Sequence, residues 1–240
     1  MTPKKIDTLR IKLYADGSEE KEMLSLAEKP YIKGLTTNPT LMHKAGVTNY
    51  AEFAKKILSL IPEKPISFEV FSDDFSEMER QARLIASWGN NVYVKIPIVN
   101  TKGESSTPLV KKLSDEGIKL NVTMILTAEQ VQTATNALSA STPSIISVFA
   151  GRIADVGMDP IPVMQASKAI TATKPSIELL WASTRELFNI YEAERVGAEI
   201  ITVPPSILKK LGDIGKDLQT LTLEGVKTFY EDGKAAGFTL

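Results

Sequence analysis

Eight short β-branched runs, helical-period sequence between most of them, and a length of 240 residues predict an α/β protein. The expected fold is a single (β/α)8 TIM barrel spanning 1–240, with a C-terminal helical tail from about 213. In chain order the runs are LRIKLYAD (9–16), YIKGLTTN (31–38), PISFEVF (65–71) and NVYVKIP (91–97). GIKLNVTMIL (117–126), SIISVFAG (144–151), SIELLWAS (176–183) and AEIITVPP (198–205) follow. The helices between them carry their own punctuation. In DDFSEMERQARLIASWG (73–89), Phe75, Met78, Ala82 and Ile85 form one apolar stripe, and Gly89 reads as the stop. STPLVKKLSDEG has Pro108 early and stops at Gly117, and TRELFNIYEAERVG stops at Gly197. Thr127 and Gln130 have the spacing of a capping box. A doubly wound sheet is the alternative, but no glycine-rich phosphate loop follows the first run, as a dinucleotide fold would need.

Composition bounds the function. Apolar residues make up 43% and charged residues 24%, the mix of a soluble globular protein. A chain this long can bury its core without disulfides. A net charge of −1 offers no global field for nucleic acid or a membrane surface, so neither partner is expected. The absence of cysteine excludes disulfides, thiol catalysis and thiolate metal sites. The one histidine, His43, argues against histidine-built metal sites and triads, so no metal is expected. MTPKKIDTLR lacks the apolar core of a signal peptide and no window approaches a membrane span, which makes a cytoplasmic address the expectation.

In such a barrel the site lies at the carboxyl ends of the strands. The polar residues there are Asp16, Asn38, Glu69, Lys95, Asn121 with Thr123, Ser147, and Ser183. Lys95 stands out because NVYVKIPIV is otherwise an apolar strand, and an ammonium aimed into a fold is costly unless paired or neutral. One reading is a buried ion pair with Glu69 that only orients the core, but such pairs are a poor source of stability. The other is chemical. An amine desolvated in a barrel mouth loses proton affinity and attacks ketones to give a Schiff base. The iminium is then an electron sink for breaking a neighbouring carbon–carbon bond. Asp16 and Glu69 are the carboxylates available to move protons. Arg152 in FAGRIADVG and Arg185 in ASTRE follow the sixth and seventh strands, near helix starts, where a phosphate or similar anion is readily held.

These residues resemble the transaldolase family, including its short members and the related fructose-6-phosphate aldolases. The resemblance runs from Asp16 to about Pro205, through TTNPT (36–40), VKIP (94–97), NVT (121–123), FAGRIADVG (149–157) and AS-x-R (182–185). It implies a Schiff base on Lys95, with Asp16 as acid/base on the C4 hydroxyl. It also implies that Glu69, Thr123 and a water move protons during imine formation. Asn38, Asn121 and Ser183 would bind hydroxyls of a dihydroxyacetone unit, with Ser147 and Phe149 beside them, and Arg152 and Arg185 would clamp phosphate. Glutamate at 69 and phenylalanine at 149 look like the transferase, whereas the fructose-6-phosphate aldolases carry glutamine and tyrosine there. The chain departs from the family's usual pattern at YADG, Val148, Trp181 and the closing tail. The expected function is transfer of dihydroxyacetone from a ketose phosphate to an aldose phosphate, as in pentose phosphate chemistry. Small sugar phosphates would be the ligands, the imine would serve in place of a cofactor, and the protein is expected to be a homo-oligomer. The alternatives are an aldolase releasing dihydroxyacetone, an enzyme for a ketose with another anion such as a sulfonate, and a silent sugar-phosphate-binding barrel.

Overall fold

The computed structural model describes residues 3–239. Its strands are β1 (Lys12–Asp16), β2 (Ile32–Thr36), β3 (Ile66–Glu69), β4 (Val92–Pro97), β5 (Leu120–Ile125), β6 (Ser144–Val148), β7 (Ile177–Trp181) and β8 (Ile200–Val203). They pair in parallel in chain order, and β8 closes on β1, giving the (β/α)8 barrel. The helices are α1 (Glu20–Ala27), α2 (Pro39–Lys44), α3 (Tyr50–Leu60), α4 (Phe75–Ala86), α5 (Thr107–Asp115) and α6 (Ala128–Ala137). They continue with α7 (Ala150–Asp155), α8 (Ile161–Thr171), α9 (Asn189–Val196), α10 (Pro205–Leu208) and α11 (Leu218–Ala235).

Local signals explain most boundaries. Thr127 and Gln130 close a reciprocal capping box at the start of α6. Gly197 ends α9 in the left-handed conformation (φ 81°), as the sequence predicts. Gly89 behaves differently: α4 stops at Ala86, three residues earlier. A Cβ on Gly89 would lie 2.9 Å from Asn91 Oδ1, and Asn91 donates to the carbonyls of Ile61 and Lys64. Gly89 is therefore a packing glycine and not the helix stop. Phe149, which reads as part of the sixth strand, caps α7 instead.

The alternation of each strand sorts its residues into two cores. Val92, Val94 and Ile96 of β4 point outward into the large core between sheet and helices. Trp181 packs in that outer layer too, so its bulk stays out of the barrel mouth. Inside the barrel Tyr14, Ile145, Leu180, Ala182 and Ile200 form a second cluster, with Tyr93 and Phe149 against it. This plug is the floor on which the polar mouth rests. α11 buries none of its residues and leaves Leu218, Val226, Phe229 and Tyr230 exposed. Among the described residues no helix is long and apolar enough to cross a membrane.

The plug depends on Gly34. A Cβ there would fall 2.5–2.7 Å from three ring carbons of Tyr14, its partner in register on β1. Gly34→Ala should therefore cost about 1–3 kcal/mol in urea unfolding, the range for overpacking. Adding Tyr14→Leu should recover most of that loss, because the shorter side chain vacates the contested space.

Candidate active site

A cavity of about 600 Å³ opens at the carboxyl ends of the strands. All eleven candidate residues line it: Asp16, Asn38, Glu69, Lys95, Asn121, Thr123, Ser147, Phe149, Arg152, Ser183 and Arg185. A second cavity, about 360 Å³, lies outside the barrel beside α1 and α3. Its charges have local tasks, since Glu19 caps α1 and Glu20 pairs with Lys56.

Lys95 is 6% exposed. Parallel pairing puts it opposite Glu69 on one side and Asn121 on the other. Its Nζ donates to the Thr37 carbonyl at 2.9 Å and lies 3.1 Å from Glu69 Oε2. Glu69 is itself fixed at the backbone. Its N–H donates to the Tyr50 hydroxyl at 2.8 Å, and that hydroxyl donates back to the Glu69 carbonyl at 2.9 Å. Tyr50 is wedged edge-on against Phe68 and Phe71, so an aromatic cluster outside the barrel holds the end of β3.

Asp16 accepts from the Thr36 hydroxyl at 2.8 Å, and Thr36 also meets Thr202. Burial raises the Asp16 pKa above the usual carboxylate value. The charge of Lys95 and the Thr36 hydrogen bond pull it back down, and the charge of Glu69 pushes it up.

Asn121 is oriented from both sides: it donates to Ser67 Oγ at 3.1 Å and accepts from Ser147 Oγ at 2.6 Å. Asn38 caps α2 through its side-chain oxygen at 2.9 Å from the Leu41 N–H. Thr123 Oγ1 is buried with no hydrogen-bond partner among the described residues, and the residue lines the cavity. Such a hydroxyl is costly unless a group within the cavity satisfies it. Met124 follows in the left-handed conformation (φ 59°), where the β5–β6 register shifts. That irregularity brings both Thr123 and Met124 to the mouth, against simple alternation.

The rim after β6 and β7 is built by close approach. A Cβ on Gly151 would lie 1.7 Å from the Ser183 carbonyl oxygen, so only glycine lets α7 reach the loop after β7. Ser183 holds φ 64°, a strained conformation for a residue with a side chain. This contact sets Arg152 and Arg185 on one rim. The Arg152 guanidinium lies 6.0 Å from the centre of the Phe149 ring. Arg185 forms a two-pronged pair with Asp155, with Nε 3.1 Å from Oδ1 and Nη2 meeting Oδ2.

The family sequence model described as transaldolase/fructose-6-phosphate aldolase matches residues 13–240. A protein of Listeria monocytogenes named probable transaldolase 2 is 34% identical, over 94% of this chain and 97% of its own. A probable transaldolase of Thermoanaerobacter sp. is 32% identical, over 96% of this chain and 100% of its own. The chain belongs to the transaldolase/fructose-6-phosphate aldolase family. It is accordingly an enzyme of the transaldolase type.

Several residues of this candidate site are not among the candidates that the sequence names. Thr36, Lys44, Met124 and Thr202 line the cavity, while Ser67 and Tyr50 orient its side chains. Thr36 is the first residue of the TTNPT motif and Lys44 follows its last residue by four positions, which was the available signal. Nothing local marks Tyr50, whose contact with Glu69 spans 19 residues of chain.

The Thr36–Asp16 hydrogen bond stabilises the ionised carboxylate, so its loss raises the Asp16 pKa further. Thr36→Val should move the Asp16 carboxyl titration, followed by 13C NMR, to higher pH. The sign for stability follows: a carboxyl raised above its unfolded value favours the fold at low pH, and that contribution is lost as pH rises through the folded pKa. Thr36→Val should thus lose more stability at neutral pH than at pH values below the ordinary carboxylate range.

Proposed function

We propose that the chain moves a dihydroxyacetone unit from a ketose phosphate to an aldose phosphate through a Schiff base on Lys95. One observation carries this reading. Lys95, the one lysine among the buried residues described, shares a cavity with two carboxylates, Asp16 and Glu69. In the proposed reaction its amine adds to the C2 carbonyl. Water then leaves the carbinolamine as protons pass through Glu69, the nearest carboxylate at 3.1 Å. The unpartnered Thr123 hydroxyl is suited to hold a water for that relay. The iminium accepts the electrons of the breaking C3–C4 bond, while Asp16 takes the proton of the C4 hydroxyl. Raised proton affinity suits Asp16 to that task. The aldose leaves, the enamine adds to the incoming aldehyde carbon, and Asp16 returns the proton to the new hydroxyl. Water then adds to the regenerated iminium and the C–N bond breaks, freeing the new ketose and the Lys95 amine. Asn38, Asn121, Ser147 and Ser183 are the hydroxyl-binding side chains, and Arg152 and Arg185 read the anion.

Lys95→Met keeps the stem and removes the amine. Turnover of fructose 6-phosphate with erythrose 4-phosphate should fall below detection, with the fold retained by far-UV circular dichroism. Lys95→Met/Glu69→Gln removes both charges, a control against destabilisation by an unpaired buried carboxylate. A few per cent of residual activity in the folded single variant would exclude the Schiff base.

Transfer is favoured over release because Phe149 has no hydroxyl to protonate the enamine or place a hydrolytic water. Free dihydroxyacetone should appear slowly from fructose 6-phosphate alone, and transfer should be fast once erythrose 4-phosphate is added. Phe149→Tyr should shift the balance toward release. Rapid release by the unmodified protein, without transfer to any aldose phosphate, would make it an aldolase.

A further inference from the structure

The two arginines at the rim differ in one respect. Arg152 makes no ion pair among the described residues, whereas Arg185 is held by Asp155 through Nε and Nη2. That side-on edge is one of the two forks a guanidinium offers to an oxyanion. Asp155 ends α7, three residues after Arg152, so α7 supplies both a cation and an anion to the same rim. We propose that Asp155 is the built-in counter-anion of this site: it competes with the anion of the sugar for Arg185 and so sets how tightly an anionic substrate is held.

The inference rests on the reading of Arg152 and Arg185 as the anion-binding pair, and charge and exposure support it. Arg152 and Arg185 contribute +1 each and Asp155 contributes −1, so the three together carry +1 and not +2. The Arg185 and Asp155 side chains are 50% and 49% exposed, and pairs this open add little to stability. Stability is thus a weak reason to place a carboxylate beside an anion site. Transfer supplies a stronger one. The first aldose leaves before the acceptor enters, and both carry the same anion, so one site must release it in every cycle. A carboxylate that retakes Arg185 assists each release.

The test is calorimetric binding of inorganic phosphate to the unmodified protein, Asp155→Asn and Glu186→Gln. Glu186 is exposed, follows Arg185 directly, and makes no ion pair among the described residues, so it controls for charge in general. Asp155→Asn should bind phosphate about three- to tenfold more tightly, as expected for removing a nearby, partly screened charge. The gain should shrink as salt is raised. Glu186→Gln should change binding by less than roughly twofold. In the transfer assay the KM for fructose 6-phosphate should fall in Asp155→Asn, and kcat should fall with it as release slows. Equal or weaker phosphate binding by Asp155→Asn would overturn the inference and make Asp155 a residue that merely positions Arg185. An equal gain in Glu186→Gln, or no phosphate binding by the unmodified protein, would also overturn it. Phosphate binding needs no turnover. Tighter binding by Asp155→Asn in a protein that transfers no dihydroxyacetone would keep this inference and remove the proposed function.

Discussion

Glu69 and Lys95 lie opposite each other on β3 and β4, and their side chains meet at 3.1 Å inside the barrel mouth. A buried pair of this kind returns little stability for the desolvation it costs. Around it the structure spends further groups to hold both partners still. The Thr37 carbonyl accepts from Lys95, and Tyr50 grips the Glu69 backbone from outside the barrel. Asn121 stands beside Lys95 on β5, locked between Ser67 and Ser147. Parallel register is what aligns these groups, because one slipped residue would turn each side chain to the other face.

The opposite rim works by a different constraint. There the backbone, and not side-chain pairing, sets the geometry. Gly151 lets α7 come against the Ser183 carbonyl, and Ser183 accepts a left-handed conformation to turn the chain. The rim thus carries Arg152, Arg185 and Asp155 on short, rigid connections above a floor of Tyr14, Leu180 and Ile200. A lysine–carboxylate pair aligned by strand register and an arginine-bearing rim set by one glycine contact bound the two ends of the cavity.

The barrel was legible because its signals are local: β-branched runs, capping boxes and glycine stops each report on a few residues. Lys95 was legible for the same reason, as one charge that breaks the pattern of an apolar strand. The misses share a physical cause. Gly89 looks like a stop, yet it makes room for Asn91, whose bonds reach Ile61 and Lys64. Tyr50 orders Glu69 across 19 residues, and Asp155 meets Arg185 across 30. Met124 enters the mouth only because the β5–β6 register slips, which alternation along one strand cannot reveal. The sequence named eleven of the residues that face the cavity but not Lys44, Met124 or Thr202, and tertiary packing supplied the groups that hold them.

The most direct test of the central claim is chemical trapping. The protein is incubated with fructose 6-phosphate, reduced with borohydride and digested, and the adduct is located by mass spectrometry. An imine at Lys95 predicts one reduced adduct carrying the mass of the trapped ketose or dihydroxyacetone unit, on the peptide that contains Lys95. Reduction that leaves Lys95 unmodified with every ketose phosphate tried, or labels only exposed lysines, would contradict the account and favour a barrel that binds sugar phosphates without covalent chemistry.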